Sequence, residues 1–176
     1  MEIFIHEDLY NQIEIIPEEN YFVINESQTK EGNIADNDYQ DIPERTKHQM
    51  RLIDLKIPFK EILNIVLPLA QERVSIVKIG YGEYLKPLLN TEAFVFEKVA
   101  LFIEYDSMEL IKNICICSTI LASKNVDAPN LPNILKILGD QYNLILVDWD
   151  QECIVRLKNR DTINRYLNDV FGFNIR

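Results

Sequence analysis

The chain has 176 residues, 47% of them apolar and 10% aromatic, with only five Gly, so it can bury a core as one domain and is too apolar to be disordered throughout. Its formal net charge of −10 disfavours nucleic acid as a partner, because phosphate contacts need a cationic surface. That charge is unevenly placed: residues 1–44 hold twelve acidic side chains against Lys30 alone, whereas residues 45–176 hold sixteen acids and seventeen bases.

No stretch approaches the roughly 18 uninterrupted apolar residues of a membrane span. The best run, Ile65 to Ala70, is short and contains Pro68. Met1 to Tyr10 carries Glu2, Glu7 and Asp8 and no positive region, so it does not read as a secretory signal. The mature chain is expected to start at Met1 and to stay in the cytoplasm. Cys115, Cys117 and Cys153 are an odd number without paired CxxC elements, which predicts three buried, reduced thiols and neither a disulfide framework nor a zinc site.

Residues 1–25 read as a docked N-terminal segment, with apolar weight at Ile13, Ile15 and Ile16 and a short strand over Tyr21 to Ile24. Residues 26–44 read as an acidic flexible loop, since six acids are offset by only Ile34, Ala35, Tyr39 and Ile42. The remainder, 45–176, is the expected core. From Pro58, the recurrence of Ile62, Leu63, Val66 and Ala70 predicts a helix over 58–72, kinked at Pro68. Ser75 to Ile79 reads as a strand ending at a Gly80-Tyr81-Gly82 turn. Beyond an unassigned stretch containing Pro87, the alternation of Val99, Leu101, Ile103 and Tyr105 with Ala100, Phe102 and Glu104 marks a strand near the centre of a sheet.

Asp106 can cap a helix carrying Leu110, Ile111, Ile114, Cys117 and Leu121, although the same β-branched run suits a buried strand; helix is the first reading over 107–122. Asn130 and Gly139 bracket a short helix of Leu131, Ile134, Leu135 and Leu138. Asn143 to Val147 and Cys153 to Lys158 predict an antiparallel hairpin. Asp161 is the expected cap of a last helix bearing Ile163, Tyr166, Leu167, Val170 and Phe171 and closing at Gly172. The order helix, hairpin, helix defines the expected fold class as α+β, a single domain with a mostly antiparallel sheet and helices packed on one face.

Asp148-Trp149-Asp150 after a strand is the DxD pattern with which carboxylates hold Mg²⁺ or Mn²⁺ in nucleotide-sugar or phosphate chemistry, and Glu152 would then be third ligand or base. The hairpin strand that follows at once favours a plain turn, in which Asp148 and Asp150 are exposed and Asp→Ala changes stability by about 1 kcal/mol or less. His6 and His48 lack local partners and read as surface histidines. Gly80-Tyr81-Gly82 lacks the third glycine of a dinucleotide site. Arg156, Lys158 and Arg160 should project from one face, with Val155 and Leu157 facing the core, and with Arg165 they form a small basic patch. This is a solvated face or an anion site, and the acidic segment of the same chain is one candidate occupant.

In size, acidity, the Tyr142–Trp149 and Cys153–Lys158 hairpin and the capped helix from Asp161, the chain resembles the small acidic immunity proteins that bacteria pair with secreted polymorphic toxins. The likeness covers about the last third, with no position matching a family signature, so no residue role is carried over. It implies a non-catalytic, cofactor-free protein that binds a toxin domain tightly and blocks its site. Concentrated negative charge independently suits a basic protein domain as partner, and Asp36, Asp38, Asp41 and Glu44 are the candidate contact residues. A metal-dependent enzyme built on Asp148 and Asp150 and a structural or adaptor subunit are the competing readings.

Overall fold

Strands that are apolar on both faces have to be covered on both, and that requirement organises the molecule. The computed structural model describes residues 2–21, 24, 50–118, 130–173 and 175. In chain order its elements are β1 (Glu2–His6), β2 (Ile13–Pro17), α1 (Phe59–Val66), β3 (Glu72–Val74), β4 (Ile76–Tyr81), β5 (Tyr84–Pro87), β6 (Thr91–Phe96) and β7 (Val99–Tyr105). They continue with β8 (Ile111–Ser118), α2 (Leu131–Tyr142), β9 (Leu144–Asp148), β10 (Cys153–Arg156) and α3 (Arg160–Phe171).

Seven strands form one sheet in the order β10-β9-β2-β8-β7-β6-β3, with every neighbouring pair antiparallel. The N-terminal strand β2 joins its two halves: Ile13 and Glu14 pair with β8, and Ile13 through Pro17 pair with β9. One face, carrying Phe94, Phe96, Leu101, Ile103, Ile114 and Leu146, packs against the three α-helices of the described residues through Ile62 and Val66 of α1, Ile134 and Leu138 of α2, and Ile163 and Leu167 of α3. The domain is therefore α+β with its helices on one side. On the other side, a second sheet ordered β1-β4-β5 lays Ile3, Ile5 and Val77 over Ala93, Val95, Ala100, Phe102 and Cys115. That second cover was not anticipated, and it explains why all six residues of β6 are buried.

The doubly apolar strand over 99–105 forms as expected and lies inside the sheet. Its neighbour is the main correction. Residues Ile111–Ser118 are a strand and not a helix, paired with β7 from Val99↔Ser118 to Tyr105↔Ile111. The β-branched run decides this once β7 offers its ladder, and Asp106 instead caps the tight turn between the two strands, its Oδ1 accepting from Met108 N and Leu110 N at 2.9 Å each. Residues 119–122 of the expected helix lie outside the described residues.

Smaller corrections follow the same logic. Helix α1 ends at Val66 and is not kinked at Pro68, which has no N–H to continue the ladder. Tyr21, the start of the expected short strand, has right-handed helical backbone at φ −52°, ψ −49°. Strands β5 and β6 fall in the stretch left unassigned by pattern, although β6 alternates Ala93 and Val95 with Phe94 and Phe96, and β3 starts at Glu72, the last residue of the expected helix. Helix α2 runs past Gly139 to Tyr142 and closes on Asn143 in the left-handed region, while Asn130 holds the N-cap position as expected but donates its side-chain amide to Leu69 O (3.2 Å) and makes no side-chain capping bond. Asn159, not Asp161, caps α3, accepting from Asp161 N and Thr162 N, and Gly172 closes the helix at φ 64° as expected. Val170, expected on the buried stripe of α3, is exposed.

Candidate functional site

The strand-end acids come first because they carry the strongest chemical pattern. Asp148 ends β9, and the alternation of that strand together with the docking of α3 buries it to 1% exposure. Its Oδ1 accepts from the backbone N–H of Asp150 (3.1 Å) and of Gln151 (3.0 Å), and its Oδ2 accepts from the Tyr166 hydroxyl (2.7 Å). Burial, and then this bond, pushes the Tyr166 phenol well above its ordinary pKa. Both carboxyl oxygens are thus committed to holding the β9–β10 turn and the helix behind it. The expectation of two exposed turn residues holds for Asp150 and is corrected for Asp148, because sequence does not show that α3 returns over this turn.

Asp148 and Asp150 line a cavity of about 410 Å³ together with Asp8, Gln12, Cys117 and Phe171. Glu152, the proposed third ligand, is exposed with left-handed backbone at φ 49°. Among the described residues no group of three or more His, Cys, Asp or Glu side chains is placed to hold a metal ion.

Asp36, Asp38, Asp41 and Glu44 lie outside the described residues, as does His48. The described part of the acidic quarter divides in two. Glu14 accepts from Trp149 Nε1 (2.7 Å) and Glu18 pairs with Lys158 (2.7 Å), so both tie the N-terminal strand to the last hairpin. Glu7, Asp8 and Glu19 stand exposed, and Asp8 accepts from Tyr81 while lying 3.6 Å from His6 Nδ1. Sequence reasoning missed the apolar surface beside them, in β1, β4 and β5. Its only signal was that Phe4 follows the same apolar run as the buried Ile3 and Ile5.

The basic patch forms largely as expected, since Val155 and Leu157 are buried and Arg156 and Lys158 point outward. Its charges are partly used within the fold. Arg156 sits 4.5 Å over the Tyr21 ring, Lys158 binds Glu18, and Arg160 donates to Asn133 Oδ1 at 2.7 Å. Arg156 and Arg165 line a groove of about 390 Å³ that also includes Asp169.

All three cysteines are free. Cys115 and Cys117, two apart on β8, share the face under the small sheet; the hydrogen bond between the two thiols, and then burial, holds Cys115 well above its ordinary pKa. Cys153 is half-buried, and burial followed by the nearby Asp148 raises its pKa as well. Because the thiolate is the reactive form, native protein near pH 8 is expected to release at most about one equivalent from a disulfide reagent within minutes, against three after denaturation. Rapid titration of Cys115 in the folded state would contradict this packing.

No helix among the described residues is long and apolar enough to cross a membrane. Comparison with protein-family models, with curated proteins and with solved structures gave no match to this chain.

Proposed function

We propose that this chain is a non-catalytic protein-binding module that recognises a basic protein domain through its acidic surface, in the manner of an immunity protein blocking a toxin. The observation that supports the reading is charge segregation: residues 1–44 carry twelve acids against one lysine, while the other 132 residues are close to neutral. A domain that acts on a polyanion must present positive surface, and a concentrated negative field speeds its encounter and orients it. The binding role of Asp148 within its own turn adds support, because a side chain engaged through both oxygens is poorly placed to serve a reaction.

The test uses a panel of purified basic protein domains, nuclease domains first, each measured for association with this chain. Association should slow steeply as salt rises, because steering between exposed charges is screened over about 8 Å at physiological ionic strength. Replacing Asp36, Asp38 and Asp41 by Asn should reproduce part of that slowing at low salt and affect dissociation less. If association ignores both salt and these substitutions, the acidic stretch serves solubility only and the reading loses its support.

A further inference from the structure

Among the described residues, the small sheet β1-β4-β5 has one face in the core and one face that no other element covers. Its register places Glu2 beside Ile76, Phe4 beside Lys78 and Pro87, and His6 beside Gly80 and Leu85, so these residues share the outward side, while Ile3, Ile5 and Val77 point into the core. Tyr81 and Tyr84 pair at the hairpin turn, where strand alternation sets them on the opposite side from Leu85 although both are exposed, and Leu89 follows the last strand. Phe4, Ile76, Tyr81, Tyr84, Leu85 and Leu89 are all exposed, Tyr84 at 86% and Leu89 at 80%. With Leu9 they make seven of the eleven large apolar side chains exposed among the described residues, which is clustering and not the scatter expected of an ordinary surface. Strand β5 is also a sheet edge whose four residues are all exposed.

We propose that this outward face, together with the exposed hairpin end that carries Tyr81 and Tyr84, is the docking surface for the partner, and that the partner is a cationic protein domain presenting an apolar patch ringed by Lys or Arg. The proposal rests on the protein-binding reading above and names the surface that reading requires. Charge complementarity selects the occupant. Glu2, Glu7, Asp8 and Glu83 belong to this sheet and its flanking turns, and of the lysines there, Lys78 is held by Glu2 at 2.6 Å and only Lys86 remains. Acid would face acid across a self-pair of a chain with net charge −10, and an anionic lipid surface would be repelled in the same way. Exposed apolar side chains beside acids combine the two contributions found in tight interfaces, where apolar contacts slow dissociation and charges speed association.

The probe is the same panel of purified basic protein domains, each passed over the full immobilised chain. Tyr84→Ala combined with Leu85→Ala should leave the circular dichroism spectrum and melting curve near those of the wild type and speed dissociation on the order of tenfold or more, with association changed less than about twofold. Glu7→Gln with Glu83→Gln should slow association at low salt and leave dissociation nearly unchanged. Met108→Ala, exposed at 72% but outside this sheet, should alter neither rate. Wild-type binding whose dissociation ignores the Tyr84 and Leu85 substitutions overturns the docking surface alone and leaves the protein-binding reading standing. Absence of any binding overturns both. Sedimentation that finds the free chain dimeric, with the dimer dissolved by Tyr84→Glu, assigns the face to a second copy and overturns the proposal.

Discussion

Asp148→Ala is expected to destabilise the protein by about 3 kcal/mol, lowering Tm by roughly 6–12 °C for a domain of this size. The substitution removes the acceptor of a buried tyrosine hydroxyl and of two turn N–H groups at once. The tyrosine hydroxyl loses its partner in a buried place and the two turn N–H groups lose theirs in a half-buried one, and leaving a buried donor unmade costs more than the net value of the bond itself. Asp150→Ala is the matched control: Asp150 is exposed and accepts only from Gln151 Nε2 at 3.3 Å, so a change within about 0.5 kcal/mol is expected. Tyr166→Phe should reproduce part of the Asp148 loss, because it removes one of the three donors and keeps the turn. Thermal melts of the three variants decide the matter, and equal stability of the two alanine variants would mean that Asp148 does not hold the turn. The same melts with added Mg²⁺ or Mn²⁺ test the metal-dependent reading, which would return if the ions stabilised the wild type and both alanine variants abolished the effect.

Gly139→Ala should lower stability by a comparable amount, about 3 kcal/mol, although alanine is the better helix former. A methyl group at this position would lie 2.5 Å from the backbone carbonyl carbon and 2.6 Å from the Cβ of Leu157. Leu157 is fully buried and follows β10, so it cannot withdraw without moving the strand on which α2 rests. The helix must therefore shift away from the sheet, opening contacts around Leu135 and Leu138. The sign of the effect is the test: an ordinary mid-helix glycine gains about 1 kcal/mol on replacement by alanine, and such a gain would show that the close approach does not exist. Gly82→Ala separates backbone strain from crowding, since its added methyl would meet nothing within 4 Å and its φ of 52° alone should cost about 1 kcal/mol.

Local pattern was enough for several elements. Strand β7 was legible because both of its faces are apolar, the β9–β10 hairpin because two short apolar runs flank an acidic turn, and α3 because its stripe ends at a glycine. The segregation of acid into residues 1–44 is a property of composition and needs no structure. For each of these elements the information is local, within the range over which strand alternation, helical spacing and capping act.

Tertiary structure decided the rest. Ile114-Cys115-Ile116-Cys117 satisfies both helical and strand spacing, and only the ladder offered by β7 selects the strand. Asp148 reads the same in sequence whether its turn is bare or covered, and the return of Tyr166 over it turns an exposed acid into a buried anchor. Gly139 reads in sequence as a helix end, yet it lies inside α2, where the close approach of Leu157 leaves no room for a side chain. The candidate docking face depends on β1 pairing in parallel with β4, more than seventy residues away, as in Glu2↔Ile76. Pattern along a chain reports which faces are apolar, whereas what covers a face is fixed by segments distant in sequence, and in this protein the buried acid, the crowded glycine and the bare apolar sheet all depend on that covering.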